Sequence, residues 1–220
     1  VFTHLSSAFG KRQKNNLGIS LEKINIVWLK RDFRTQDHES FSTAEGSKFP
    51  YLVISLFEPS LMDRSDTSLR HLQFIYHSGE EMNAVMKSTM IQVHALWAEA
   101  GEVFHYLTEN YDVQNVLSYQ ESGVLQTWKR DKEAAALFDK KGINWIQFKK
   151  DAIIRGITNR IGWDKKWNES MHSPVITNSY ANRQPLAFGN PFPLPLSLRT
   201  MLNDYPVYYQ PPGEKAAWKY

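Results

Sequence analysis

The chain has 220 residues, a formal net charge of +3 and 42% hydrophobic residues, which is typical of a globular protein with one sizeable core. It contains no cysteine, which excludes disulfides, iron–sulfur clusters and thiol chemistry. No apolar run approaches the ~20 residues of a membrane span, so we expect a cytoplasmic protein with no membrane partner.

Short apolar runs alternate with longer helical patterns along most of the chain. Residues 1–22 are polar and aperiodic, and we interpret them as a loose extension or a remnant of cloning. The runs predict five strands, at residues 24–29, 51–57, 102–107, 114–119 and 144–148. Apolar residues at helical spacing predict one helix from about residue 69 to 96 and another over 125–138. This alternation is typical of an α/β fold, here a five-stranded parallel Rossmann-like sheet over residues 23–152 with helices on both faces.

The pattern changes after residue 148. Residues 153–213 begin as a basic, aromatic segment of predicted helix and then become rich in proline, with eight of the ten prolines between Pro174 and Pro212. Such a stretch excludes regular helix and central strand and is typical of a long connector between domains. Its Tyr and Phe residues indicate that it lies against a surface. Residues 214–220 form a helix-favouring run without a stop signal, which we interpret as the start of a further domain.

Two loops of the predicted sheet are candidates for a binding site. In an open parallel sheet, ligands bind outside the carboxyl ends of the strands, where the strand order reverses. If the first strand is central, the loops after the first and fourth strands flank that crevice. The charged and polar residues of these loops are our candidate binding residues: Lys30, Arg31, Asp32, Arg34, Asp37, Gln120 and Glu121. Their cations suit an anionic or heteroaromatic ligand, while an Arg–Asp network that only pins the loop is an equal alternative.

Other chemistry finds little support in the sequence. The glycine patterns of dinucleotide and triphosphate sites are absent, and so is the G-x-S-x-G nucleophile elbow. We place His71, His77 and His94 on predicted helices without metal-ligand spacing. No complete catalytic constellation is visible, so we predict neither a catalytic nor a metal site.

The first strand and its loop resemble a known family. The segment V-W-L-K-R-D-F-R at 27–34, followed by Asp37, resembles the V-W-F-R-R-D-L-R opening of DNA photolyases and cryptochromes, with His38 where that family usually has Asn. Further similarities follow in the same order along the chain: F-E-P at 57–59, S-L-R-H-L-Q-F-I at 68–75, Gln120-Glu121, Arg130-Asp131, and G-E-K-A-A at 213–217, which is similar to the opening of the family's helical domain.

The resemblance implies that the chain is the N-terminal α/β domain of such a flavoprotein, cut off before its helical FAD domain. It implies FAD in the full-length protein, which would repair pyrimidine dimers in damaged DNA by light-driven electron transfer. It also implies an antenna chromophore (a folate, a deazaflavin or a flavin) in or beside this domain, held by the seven candidates above. The chain alone, without the missing C-terminal helical domain, is then not expected to be catalytic. A cryptochrome-type blue-light photoreceptor and a stand-alone Rossmann-like nucleotide-binding or interaction domain stay open as alternatives.

Overall fold

A computed structural model describes residues 20–149, 158–181, 186–204 and 210–219. One sheet contains five strands: β1 (Lys23–Leu29), β2 (Tyr51–Leu56), β3 (Val93–Leu96), β4 (Asp112–Tyr119) and β5 (Asn144–Phe148). Neighbouring strands are parallel in the order β3-β2-β1-β4-β5. The strand β1 is therefore central, and the strand order reverses beside it.

Helices cover both faces of the sheet, as predicted. Five lie between strands: α1 (Glu39–Glu45), α2 (Pro59–Met62), α3 (Leu69–Met86), α4 (Ala100–Asn110) and α5 (Leu125–Lys141). Side chains alternate across a strand, so Trp28 packs in one buried cluster with α4 and α5, while Val27 packs in the other with α1 and α3. The predicted five-stranded parallel α/β fold is confirmed.

The predicted third strand is wrong. Residues 102–107 lie in α4, which begins with a capping box between Glu99 and Glu102 and buries Val103, Phe104 and Leu107 at helical spacing. Residues 108–112 therefore span the end of α4 and the start of β4, at the amino edge of the sheet.

The true third strand, β3, lies inside the segment predicted as the end of a long helix. Helix α3 stops at Met86, a 3₁₀ turn follows at Lys87–Thr89, and Met90 adopts a left-handed φ of 59° that ends the helical run. His94 consequently lies on β3 and not on a helix. A strand of four residues is too short for its period to stand out from the helical pattern before it.

In the described part of the chain after the sheet there are three helices: α6 (Trp163–Met171), α7 (Leu196–Asn203) and α8 (Glu214–Ala217). Helix α7 corrects the expectation that no helix occurs within the proline-rich stretch, since it begins directly after Pro195, in a gap without proline. Among the described residues, no helix is long and apolar enough to cross a membrane.

The proline-rich connector lies against the domain, as its aromatic residues indicated. The Trp97 amide donates to the Phe192 carbonyl at 2.8 Å, and the Asn190 side chain donates to the Ala95 carbonyl at 3.1 Å. These bonds cover the outer edge of β3, which would otherwise expose unpaired backbone groups. The predicted extension up to residue 19, the end of the α/β domain at 152 and residue 220 lie outside the described residues.

Candidate binding cleft at the carboxyl edge of the sheet

The carboxyl ends of β1, β2 and β4 open into a cleft of about 1170 Å³. Its walls come from the loop after β1, the end of α2 and the turn after it, the first half of α3, the segment 121–130, and α8. Small-molecule sites usually occupy ~300–1,000 Å³, so the cleft can hold a ligand with several rings. Its position beside the central strand is the one that the strand order predicts for a ligand site.

A buried lysine forms part of the cleft floor. The Lys30 side chain is 4% exposed, and its Nζ lies 2.8 Å from Asp131 Oδ2. The ammonium also lies over the rings of Trp28 and Trp145, at 4.5 and 5.1 Å from their centroids, where the negative π faces favour a cation. Burial lowers the pKa of Lys30 despite the opposing effect of Asp131.

Arg130 of α5 joins the acidic residues of the floor. Its Nη1 lies 2.8 Å from Glu58 Oε2, and its Nη2 lies 2.9 Å from Asp131 Oδ1 and 3.6 Å from Glu121 Oε2. Glu58 also accepts the Ala100 amide at 3.1 Å. Burial raises the pKa of Glu58 even though Arg130 opposes the shift. Breaking such a buried pair is costly because the remaining charge stays desolvated.

The seven predicted binding residues divide into two groups. Lys30, Arg31, Arg34 and Glu121 line the cleft, and at its rim Arg31 Nε lies 3.4 Å from Glu121 Oε1. Asp32, Asp37 and Gln120 are not among its lining residues.

Asp32 lies beneath the cleft and holds the backbone of the loop. Its Oδ1 accepts the amides of Lys30 and Arg31 at 2.9 and 3.1 Å, and its Oδ2 lies 3.0 Å from His38 Nε2. Burial alone would raise the pKa of Asp32, but these hydrogen bonds and His38 outweigh burial and the pKa is lowered. Asp32 therefore fixes the loop, as in the alternative of a network that only pins it, but its side-chain partner is His38 and not an arginine.

The other two predicted residues face away from the cleft. Asp37 has a left-handed φ of 54° and exchanges hydrogen bonds with Ile176 of the connector, through its amide and its carboxylate. The Gln120 amide donates to the Phe148 carbonyl at 2.8 Å and so extends the pairing of β4 with β5.

The sequence analysis missed the wall that α3 and α8 supply. Residues 70–75 and Ser78 of α3 line the cleft. Among them Arg70, Phe74 and Ser78, four residues apart, share one face of the helix. Ser78 is 3% exposed, and its hydroxyl has no hydrogen-bond partner among the described residues. Trp218, next to α8, completes this wall. The sequence predicted this helix from its apolar positions, and that pattern does not mark Arg70, Phe74 or Ser78 as lining residues.

A family model described as DNA photolyase matches residues 25–158, which is more than half of the chain. The chain belongs to the DNA photolyase family. No curated protein sequence matches it.

Solved structures of photolyases and cryptochromes share the fold. A class III photolyase from Agrobacterium tumefaciens is similar with a TM-score of 0.70 and 14% identity, over 93% of this chain and 45% of that one. A Synechocystis cryptochrome gives a TM-score of 0.67 and 11% identity, over 82% and 41%. An archaeal photolyase from Sulfolobus tokodaii, described with two FAD molecules, gives 0.59 and 14%, over 70% and 36%. This photolyase-family chain thus spans less than half the length of each structure.

The cleft lining offers hydrogen-bond donors and an aromatic surface that suit an anionic ligand with a ring, such as the chromophores implied by the resemblance. A buried hydroxyl that lacks a partner, such as that of Ser78, costs free energy unless a ligand or a water bonds to it. Arg31, Arg34 and Arg70 offer donors to an anionic group, and Phe74 offers a surface for a ring.

Among the described residues, no group of three or more acidic or His side chains could hold a metal ion.

Proposed function

We propose that this chain is the N-terminal domain of a deoxyribodipyrimidine photolyase-related flavoprotein and that its cleft holds an antenna chromophore. The observation that carries the proposal is the cleft beside β1, which combines a charged floor, an arginine-bearing rim and the buried Ser78 hydroxyl. In the full protein, FAD in a following helical domain would supply the electron that splits a pyrimidine dimer in DNA. The antenna is a folate, a deazaflavin or a flavin.

Each side chain of the cleft has a part in this proposal. Arg31 and Arg34 bind the anionic part of the chromophore at the rim. Lys30 and Arg130, neutralised by Glu58, Asp131 and Glu121, keep the floor rigid. Ser78 donates a hydrogen bond from α3, and Phe74 and Trp218 exclude water from the ring face. A chromophore held in this way keeps a fixed orientation, which energy transfer to a second chromophore requires.

An absorption spectrum of the intact protein tests the proposal. We expect denaturation to release FAD together with a second chromophore, and we expect the 220-residue chain to retain only the second. The variant Arg31→Gln should bind that chromophore at least several-fold more weakly, while the matched control Lys129→Gln, on the exposed face of α5, should bind it normally. Release of no flavin from the intact protein would reject the proposal.

A repair assay separates the light-driven enzyme from the photoreceptor. The intact protein, reduced and illuminated, should remove pyrimidine dimers from irradiated DNA, and the same sample kept in the dark should not. Release of flavin without any light-dependent repair would reject the repair function and favour a cryptochrome-type photoreceptor.

A further inference from the structure

The second half of the loop after β1, residues 35–38, contacts the connector and does not line the cleft. The Tyr180 hydroxyl donates to the Thr35 carbonyl. Gln36 donates from its side chain to the Asn178 carbonyl at 3.0 Å and accepts the Asn178 amide at 3.1 Å. The backbone of His38 exchanges a second pair of bonds with the Asn178 side chain, at 2.9 and 3.0 Å. This half of the loop is therefore a docking point for a chain segment about 140 residues away.

The same half of the loop is also held by α8. One oxygen of the Glu214 carboxylate accepts the Thr35 amide at 2.8 Å and the Thr35 hydroxyl at 2.6 Å, and the other accepts the Gln36 amide at 3.3 Å. Burial alone would raise the pKa of Glu214, but these bonds outweigh it and the pKa is lowered. The side chain of Glu214, the first residue of α8, thus satisfies three donors of the loop.

A second carboxylate, that of Glu81, holds the backbone of α8 itself. Glu81 of α3 accepts the Glu214 amide at 2.8 Å with one oxygen and the Lys215 amide at 3.2 Å with the other. The amides of a first helical turn have no partner within the helix, so Glu81 supplies what α8 lacks. Gly213 has a φ of 91°, and a Cβ at this position would collide with the Glu81 carboxylate. Glycine is required there by conformation and by space.

We propose that Glu81 and Glu214 form a two-carboxylate clasp, one holding the backbone of α8 and the other joining α8 to the loop, that positions α8 and, through it, the Trp218 wall of the cleft. A helix of four residues has little stability of its own, so its place depends on what anchors it. The clasp joins three elements that are distant in sequence: α3 through Glu81, the loop through Thr35 and Gln36, and α8 through Glu214. Because Glu81 orients the backbone that carries Glu214, and the Glu214 carboxylate fixes that same backbone to the loop, the two sets of bonds form and break together. The proposal concerns this chain alone and is independent of any ligand.

Hydrogen–deuterium exchange of the intact protein, resolved to single amides by mass spectrometry, tests the clasp. A glutamine side chain has only one acceptor oxygen, so Glu81→Gln and Glu214→Gln each weaken one half. Local effects are expected in any case. The specific result is a cross-effect: Glu81→Gln should accelerate exchange at Thr35 and Gln36, which Glu81 does not touch, by about tenfold or more. Glu214→Gln should accelerate exchange at Lys215 in the same way.

Three further variants keep the outcome decisive. The matched control Glu80→Gln changes the exposed neighbour of Glu81 and should leave all four amides unchanged. Gly213→Ala opens the clasp from the backbone and should reproduce both cross-effects with both carboxylates in place. The double variant of Glu81 and Glu214 should exchange no faster than the faster single variant. Effects confined to the amides that each carboxylate contacts, or additive effects in the double variant, would overturn the proposal.

The test is distinct from that of the proposed function. Exchange at Val27 in the protected centre of β1 shows whether each variant is folded. If the variants show no cross-effects but the intact protein still releases an antenna chromophore, the clasp is rejected and the proposed function stands. Intact cross-effects in a protein without any chromophore would do the reverse.

Discussion

Replacing Arg130 with methionine tests the ion network at the cleft floor. Methionine keeps most of the side-chain volume, but it leaves Glu58 and Glu121 without their shared cation. Removing one partner of a buried pair costs about 3–5 kcal/mol. Glu58 keeps its bond from the Ala100 amide, and Asp131 keeps its pair with Lys30. We therefore expect the free energy of unfolding to fall by about 3 kcal/mol at pH 7, near the lower end of that range.

The pH dependence of this loss provides a second, independent check. The pKa of Glu58 is already raised by burial, and loss of Arg130 raises it further. A carboxyl group whose pKa is higher in the folded state destabilises the fold as pH rises through that pKa. The decrease in the free energy of unfolding caused by Arg130→Met should therefore be smaller at pH 5 than at pH 7, by up to about 1.4 kcal/mol for each further unit of pKa shift.

Urea denaturation followed by circular dichroism measures both quantities. The control Lys129→Met removes an exposed pair with Glu133, in which the side chains are 76% and 69% exposed, and should change the free energy of unfolding by less than ~0.5 kcal/mol. A loss below ~1 kcal/mol in Arg130→Met, or a loss that grows towards pH 5, would show that the network does not carry the stability assigned to it.

Three further outcomes follow from individual contacts. Asn178→Ala leaves the buried His38 amide without its partner and leaves the His38 carbonyl with the Ser42 amide alone, and should cost about 1–3 kcal/mol in urea denaturation, whereas Asn159→Ala, an exposed change, should cost little. The bonds of Glu214 lower its pKa, so their contribution is present above the ordinary carboxyl pKa and is lost as pH falls through the lowered one. Exchange at Thr35, corrected for the intrinsic pH effect, should accelerate only below the ordinary carboxyl pKa. Ser78→Ala removes a hydroxyl without a partner among the described residues and should be neutral or stabilising without ligand; if it also leaves chromophore affinity unchanged in the intact protein, Ser78 is not a ligand donor.

The parts of the fold that the sequence predicted are those with strong local signals. The strand at 144–148 has the predicted bounds, and β1 differs by one residue, because each is a short apolar run bounded by polar residues or a glycine. The error at β3 and α4 has a local cause as well. Residues 102–107 contain enough Val, Phe and Tyr to favour a strand, while the capping box that starts the helix at Glu99 was overlooked.

The location of the cleft could be predicted, but the role of each residue could not. The loop after a central strand is a general ligand position, and this rule alone led to Lys30, Arg31 and Arg34. What each side chain does depends on partners far along the chain: Lys30 pairs with Asp131 and Arg130 with Glu58. Such pairings over 70 to 100 residues leave no spacing pattern in a single sequence. The clasp between Glu81 and Glu214 lies beyond local patterns for the same reason.

The bond between Asp32 and His38 connects the two halves of the loop after β1. His38 Nδ1 accepts the Phe41 amide, so Nε2 carries the hydrogen that Asp32 accepts at 3.0 Å. The first half, with Lys30 and Arg31, lines the cleft, and the second half binds Asn178 and Glu214. A change at Asp32 therefore removes the support of both halves, whereas a change at Glu214 affects the second half first. We expect Asp32→Ala to change both chromophore affinity and exchange at Thr35, and Glu214→Gln to change exchange at Thr35 more than affinity. This result would show that the buried Asp32 positions both halves of the loop, whereas Glu214 positions mainly the second half.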